Sequence, residues 1–392
     1  MPDNLKARSN QRIAGEFEAL CDIAIYLKEN PELGWVEYQA VQRLCAYLES
    51  RQFQVDRDTG GLETAFRATL DSGRPGPTVA FLAEYDALAD VGHGCGHNLI
   101  AAGALGAAVG AGAVLDELCG RVVVLGTPGE EFTPEPQGKL KLLDAGVFDD
   151  IDACFMFHPW TRTAPINSSL ATAGLDIVFH GQTSHAAADP WNGRNALDGI
   201  LMTFNHISAM RQHVQPDVRM HGVITDGGVV PNIIPERASA RFLLRSRYME
   251  DLRGVVERVR TCALGAAEAT GTTVEIIELR ESADTYPYPT LQTITQANYA
   301  RLGLPFGEPV NWTASTDFGN VSQALPADSF FIDLGAGDLR WHSRDVADAT
   351  VREPALRAML AGAQALAMNA IDVLSDPDIL VRARLEAPAK EK

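Results

Sequence analysis

The chain has 392 residues, 51 of them acidic and 33 basic, for a formal net charge of −18, and 46% of it is apolar. That length suits one large domain or, better, two with separate cores, and the composition is that of an ordinary folded protein. The acidic balance argues against a nucleic-acid or anionic-membrane surface. No apolar run reaches transmembrane length, and the polar N-terminal segment lacks the apolar core of a secretory signal, so a cytoplasmic location is the expectation.

From the N-terminus, Ile13, Phe17, Leu20, Ile23, Ala24 and Leu27 fall at helical spacing and predict a helix over 11–28. "NPELG" stops it, with Pro31 and Gly34 as breakers, and a second helix is expected over 36–51. "TAFRATL" and "TVAFLAEY" read as strands, the latter apolar enough to be buried on both faces. "NLIAAGALGAAVGAGAVLDEL" predicts a small-residue helix near the centre of the fold, and "RVVVLGTPGEE" and "IDACFMFHPW" predict two more buried strands.

The pattern then changes. "GLDIVFHG", a long amphipathic helix from Gly193 to Val214, "RMHGVITDGG", "ERASARFLLRSR", a helix from Met249 to Thr270, and "TTVEIIELR" follow in the order β-α-β-β-α-β. That is the ferredoxin-like order. The expectation is an α/β protein with a ferredoxin-like domain at 171–284 inserted into a first domain made of 1–170 and 285–392. The returning segment reads as loops, short strands such as "SFFIDLG", and a helix over 354–374.

The six cysteines, Cys21, Cys45, Cys95, Cys119, Cys154 and Cys262, show no CxxC spacing, so reduced thiols are expected. Only Cys95 demands a role. "EYDALADVGHGCGHNLI" follows a buried strand and precedes a helix, which is the end of an open α/β sheet where ligands bind. Thiolate, imidazole and carboxylate are metal ligands, but a Cys–His nucleophile or a polar turn has the same composition. In "GTPGEEF", Glu130 and Glu131 are adjacent and face opposite ways in extended chain, so one suits a metal and the other a proton. His158 in "FMFHPW" and His342 in "LRWHSRD" end other segments, and each alone reads equally well as packing. Taken together, Cys95, His97, Glu131, His158 and His342 make five ligands, too many for one tetrahedral ion and suited to two metals that share a bridge.

The motifs "NPELGWVE", "EYDAL", "GCGHN", "GEE", "FHPW", "GQTSHAA", "GRNALDGI", "GGVVPNIIPERA", "LLRSR" and "STDFGNVS" stand in the order that resembles the M20 metallopeptidase/aminoacylase family. The likeness is greatest to its amidohydrolase branch, and within it to aminobenzoyl-glutamate hydrolases and their dipeptidase relatives. It covers nearly the whole chain. It implies a zinc-peptidase-like catalytic domain, an inserted lid and dimerisation domain, two divalent ions (zinc or manganese), and a homodimer formed through the lid. By the same resemblance Cys95 is the bridging ligand, and His97, Glu131, His158 and His342 are terminal ligands. Glu130 is the general base, and Asp86 supports a ligand histidine. His185, Asn232 and Arg245 are substrate-contacting lid residues, His185 acting across the dimer.

Three positions depart from the pattern. Asn98 stands where much of the branch has Asp, Ala89 where proline is usual, and Glu84 where other members have Asp or a ligand histidine. Trp312 and Phe318 read equally well as pocket walls or as packing, and His93 has no role. The implied activity is hydrolysis of the amide bond of N-acyl amino acids, N-aroyl-glutamates or dipeptides. Alternatives are a hydrolytic deaminase on the same fold and a metal-independent hydrolase using Cys95.

Overall fold

The computed structural model describes residues 2–131, 137–335, 337 and 339–387, with Arg280 described by its backbone alone. Twelve strands among these residues form two sheets. The larger holds β1 (Gln54–Arg57), β2 (Phe66–Asp71), β3 (Thr78–Ala83), β4 (Arg121–Gly126), β5 (Ala153–Trp160), β6 (Ala164–Ser168), β11 (Val310–Asn311) and β12 (Ala327–Asp333), in the spatial order β1-β2-β4-β3-β5-β12-β6-β11. Its centre, β4-β3-β5-β12, is parallel. Every residue of β3 is buried, as its unbroken apolar run requires when helices cover both faces.

Helix His97–Gly112 runs through the core, and its small side chains make that burial possible. A Cβ on Gly103 would stand 2.2 Å from the Phe157 ring, and one on Gly110 would stand 2.4 Å from Ile13. Helix Glu353–Ser375 packs beside it. That helix is long and apolar enough to cross a membrane, but 72% of its most apolar window is buried inside the protein, as in a core helix.

The smaller sheet holds β7 (Ala171–His180), β8 (Arg219–Asp226), β9 (Arg237–Ser246) and β10 (Thr273–Ser282), antiparallel in the order β10-β7-β9-β8. Helices Ala196–Met210 and Met249–Thr270 pack on it around a separate core that includes Phe179, Ile200, Phe242 and Val259. The chain leaves the larger sheet and returns to it at one point. There the Ser169 hydroxyl lies 2.9 Å from that of Thr285 and accepts the Thr285 N–H at 3.0 Å.

Several boundaries differ from the periodicity reading. The expected helix over 11–28 is two helices, Pro2–Gly15 and Phe17–Glu29, broken at Glu16. The Glu16 carboxylate is held there by Arg12 at 2.7 Å and Arg51 at 2.6 Å. The small-residue helix stops at Gly112, short of its expected end. The returning segment is more helical than its composition implies, with Pro289–Arg301, Phe318–Ala324, Arg344–Ala349 and Asp378–Glu386 in addition to Glu353–Ser375.

Candidate metal centre

The parallel strands bring the candidate ligands to one place. Cys95 follows β3, Glu130 and Glu131 follow β4, His158 lies near the end of β5, and His342 follows β12. That is the carboxyl end of the sheet, where the divergence of loops opens a crevice.

Gly96 explains how two of these segments meet. Its φ is +81°, and a Cβ there would stand 2.8 Å from the Pro159 ring, so only glycine lets the Cys95–His97 turn press against β5. The Cys95 Sγ consequently sits 3.5 Å from His158 Nε2. The fourth segment is tied in by the backbone. His342 N–H donates to Gly94 O at 3.2 Å, and His342 itself has φ +59°, a strained conformation for a non-glycine residue. His342 Nε2 lies 3.9 Å from Glu131 Oε1.

Asp86 organises the interior side. One of its carboxylate oxygens accepts from His97 Nδ1 at 2.9 Å, and the other accepts the Glu131 N–H at 2.8 Å. A carboxylate can only accept, so Nδ1 carries a proton, while Nε2 faces Glu84 Oε2 at 3.4 Å. His158 Nδ1 likewise bonds the Pro159 carbonyl at 2.7 Å, leaving its Nε2 toward Cys95.

Ligand-type atoms of Cys95, His97 and His158 all lie within 4.8 Å of one another, and so do those of Cys95, Glu131 and His342. The two groups share Cys95. A third group joins His97, Glu130 and Glu131.

The donor set fits divalent cations. His97 Nε2, Glu84 Oε2 and Glu131 Oε1 are buried without a hydrogen-bond partner, an arrangement that otherwise costs about 1–3 kcal/mol for each group. Charge leads to the same conclusion. Burial, then Glu131, push the Cys95 thiol well above its ordinary pKa. Burial, then Glu84, Asp317 and Glu131, do the same to Glu130. Burial opposes the imidazolium of His97, but Asp86 and Glu84 outweigh it and raise its pKa well above the usual value. Ionised together, these groups would carry more negative charge than the cluster's own cations neutralise, and a metal ion would suit the position a proton otherwise occupies.

One buried cation lies behind the centre. Lys139 Nζ, with no exposed side-chain surface, reaches Glu84 Oε1 at 2.6 Å and Asp317 Oδ1 at 2.5 Å. Asp317 also accepts the Lys139 N–H at 3.1 Å. Burial works against a charged Glu84, yet Lys139, His97 and His158 hold its pKa below the usual value. Glu84 thus has one oxygen committed to Lys139 and the other 3.4 Å from His97 Nε2. The sequence reading missed Lys139 and gave Asp317 no role, although Asp317 stands within the quoted "STDFGNVS".

In front of the centre lies a cavity of about 430 Å³, reached by Glu130, Cys95 and His342 on one side and by Leu243 and Arg245 of β9 on another. Arg245 donates to the Ser315 hydroxyl at 3.4 Å. Trp160, Trp312 and Trp341 form the apolar wall, with Trp160 and Trp341 stacked at 4.4 Å. Of the two aromatics singled out in the sequence, Trp312 lines this cavity and Phe318 is core.

His185 and Asn232 are not among the residues lining the cavity. They stand together on the smaller sheet's side, both exposed, where Ala186 N–H donates to Asn232 O at 3.0 Å. His185 Nδ1 accepts from Ala187 and Ala188 N–H at 3.2 and 3.1 Å, which leaves Nε2–H as its donor. Asn98 turns into the core, donating to Ala24 O at 3.0 Å and to Thr350 at 3.1 Å. His93 is buried, and burial, followed by His97, pushes its pKa down to about 3.

The model of Peptidase family M20/M25/M40 matches residues 65–368. The mouse Xaa-Arg dipeptidase is 36% identical over 98% of this chain and 93% of its own. One of the p-aminobenzoyl-glutamate hydrolase chains of Escherichia coli is 32% identical over 75% of this chain and 64% of its own. Among solved structures, the fold is shared with the aminobenzoyl-glutamate utilization protein from Klebsiella pneumoniae (TM-score 0.71, 20% identity, 92% of this chain and 97% of that one). It is shared also with Bacillus subtilis YxeP, described as a dinuclear metal binding peptidase (TM-score 0.66, 22% identity, 91% and 99%). With a family model matching most of its length and a relative aligned nearly end to end, this chain belongs to peptidase family M20/M25/M40.

Proposed function

We propose that the protein is a metal-dependent hydrolase of the amide bond in N-acyl amino acids or dipeptides. One observation carries the reading: two groups of ligand atoms share Cys95, with the Glu130 carboxylate beside them in the cavity wall. The names of the relatives, a dipeptidase and an aminobenzoyl-glutamate hydrolase, support the same substrate class.

Cys95 would bridge two divalent ions, with His97, Glu131, His158 and His342 as the remaining ligands. Zinc and manganese both accept this mixture of sulfur, nitrogen and oxygen. When bound, such ions supply Lewis acidity, polarising the scissile carbonyl and making water acidic. The protein's own groups do the rest. Glu130 takes a proton from the attacking water and returns it to the leaving amine nitrogen. Asp86 keeps His97 in the Nδ1–H tautomer. Arg245 pairs with the substrate carboxylate through its planar fork, with Asn232 assisting, and the tryptophan wall receives apolar substituents.

We read 171–284 as a ferredoxin-like lid inserted between 1–170 and 285–392, each with its own core. The lid also suits a dimer interface. β8 is an edge strand, and Val223, Ile224 and Val229 near it are exposed. Across such an interface the partner subunit's His185 would donate its Nε2–H to the developing oxyanion, which accounts for its place outside the cavity of its own chain. Six free cysteines fit a reducing, cytoplasmic setting.

The test strips the protein with a chelator, reloads it with zinc, manganese or cobalt, and follows product release from dipeptides, N-acetyl amino acids and aminobenzoyl-glutamate. Activity should vanish on stripping and return with two equivalents of metal, releasing an amino acid. Full activity in stripped protein would assign the reaction to Cys95 as nucleophile. Ammonia as the product would assign a deaminase.

A further inference from the structure

We propose that Glu37 is a positioning residue for Glu130, acting through the backbone N–H of Gly129. The inference rests on Glu130 being the general base.

Glu37 immediately precedes helix Tyr38–Glu49, at the position where a side chain would ordinarily cap the helix, yet it makes no capping bond. It is fully buried, and its Oε1 instead accepts the Gly129 N–H at 2.8 Å, 92 residues away along the chain. On the other side of Glu130, Asp86 accepts the Glu131 N–H at 2.8 Å. The two N–H groups flanking the base are thus each held by a buried carboxylate from a separate part of the fold. The Glu130 carbonyl between them accepts from the Gln137 side chain. These three backbone groups around the base are therefore all tethered.

Packing supports the same brace. Gly129 has φ +61°, and a Cβ on it would stand 2.9 Å from the Trp35 ring. Trp35 itself has φ +73°, and the Lys141 ammonium lies 4.3 Å from its ring centroid. The Gly34–Glu37 turn therefore meets the Gly129–Glu131 turn by close contact at Trp35 and by a hydrogen bond at Glu37. Burying two carboxylates near one another opposes folding. Burial, then the neighbouring Asp86, indeed push the Glu37 pKa up to about 7. A neutral cap would serve the helix without that penalty, so the position answers to the Glu130 turn.

The test compares Glu37→Gln, Glu37→Leu and Glu37→Asp in the full-length, metal-loaded protein. Glu37→Gln keeps an oxygen acceptor of the same reach, so kcat should stay within about threefold of the parent. Glu37→Leu removes the acceptor, and Glu37→Asp draws it back by one methylene. Both should lower kcat about 10- to 100-fold, the scale of a small misplacement of a catalytic group. KM, metal content by mass spectrometry and affinity for a non-hydrolysable substrate analogue should match the parent. Glu37→Asp keeps the charge and serves if Glu37→Leu fails to fold.

Parent-like kcat in Glu37→Asp or Glu37→Leu overturns the proposal, as does an equal loss in Glu37→Gln. Loss of metal in step with kcat overturns it too, because Glu37 would then act on the ligands and not on the base. Glu130→Gln measured alongside separates the two readings. If it retains parent-like turnover, the base assignment fails; if it collapses while the Glu37 variants do not, only the brace fails.

Discussion

The two sides of the cavity are built differently. On the side of the larger sheet, Cys95, His97, Glu131 and His158 are buried: Asp86 bonds His97 and the Glu131 N–H, the Pro159 carbonyl bonds His158, and Cys95 Sγ lies against His158. On the side of the smaller sheet, Arg245 reaches the cavity from β9, while His185 and Asn232 stand exposed outside it. The contrast separates two demands on a hydrolase. Groups that hold metal ions and move protons work best when fixed and dry, and four of the five candidate ligands are indeed buried, with His342 the exposed exception. Groups proposed to grip the substrate must first let it in, and an exposed surface suits that role.

The comparison can be broken at its strongest point first. Glu130→Gln should lower kcat by roughly 10²–10⁴-fold with two metals retained, measured by steady-state kinetics and metal analysis. If that variant loses metal, Glu130 is a ligand, and its role is exchanged with that of Glu131.

On the exposed side, His185→Ala should lower kcat by about 10²–10³-fold, the scale of one lost oxyanion donor, without changing metal content. Mixing inactive Glu130→Gln and His185→Ala proteins under conditions of protomer exchange should then restore about a quarter of parental activity, since half of the dimers carry one intact composite site. No restoration would place His185 in its own chain's site.

The last expected effect is on stability, not on turnover, and sharpens the idea of a prebuilt centre. Lys139→Met leaves Glu84 and Asp317 buried without their cation. It should cost about 3–5 kcal/mol in metal-free chemical denaturation, the usual penalty for breaking a buried ion pair from one side. Unchanged metal-free stability would mean that the interior of the centre is ordered by the ions and not by the fold.

The candidate ligands were legible because each is a chemically distinctive residue at the end of an apolar run, and runs such as β3 and β5 are visible as patterns of hydrophobicity. The order of elements in the smaller sheet was legible for the same reason. Lys139 and Glu37 were not. Each is an ordinary charged residue on or beside a helix, and its meaning lies in partners far along the chain: Asp317 for the first and Gly129 for the second. No local period encodes such contacts. The break at Glu16, just after Gly15, draws on distant partners in the same way, since Tyr47 of helix Tyr38–Glu49 and Arg51 in the turn beyond it hold the Glu16 carboxylate. His185 and Asn232 were singled out by motif alone, and the fold of a single chain leaves them outside the cavity.

The hydrogen-bonded junction at Ser169 and Thr285 has a consequence for how this architecture changes over time. Because the chain departs and returns at one spot, the intervening 171–284 segment resembles a cassette clipped into a single socket. A gene could lengthen, replace or delete it without stretching any strand of the larger sheet, and all five candidate metal ligands lie outside it. The candidate ligands and the part of the cavity wall contributed by β9 could then diversify on separate schedules, the socket holding the first and the cassette the second.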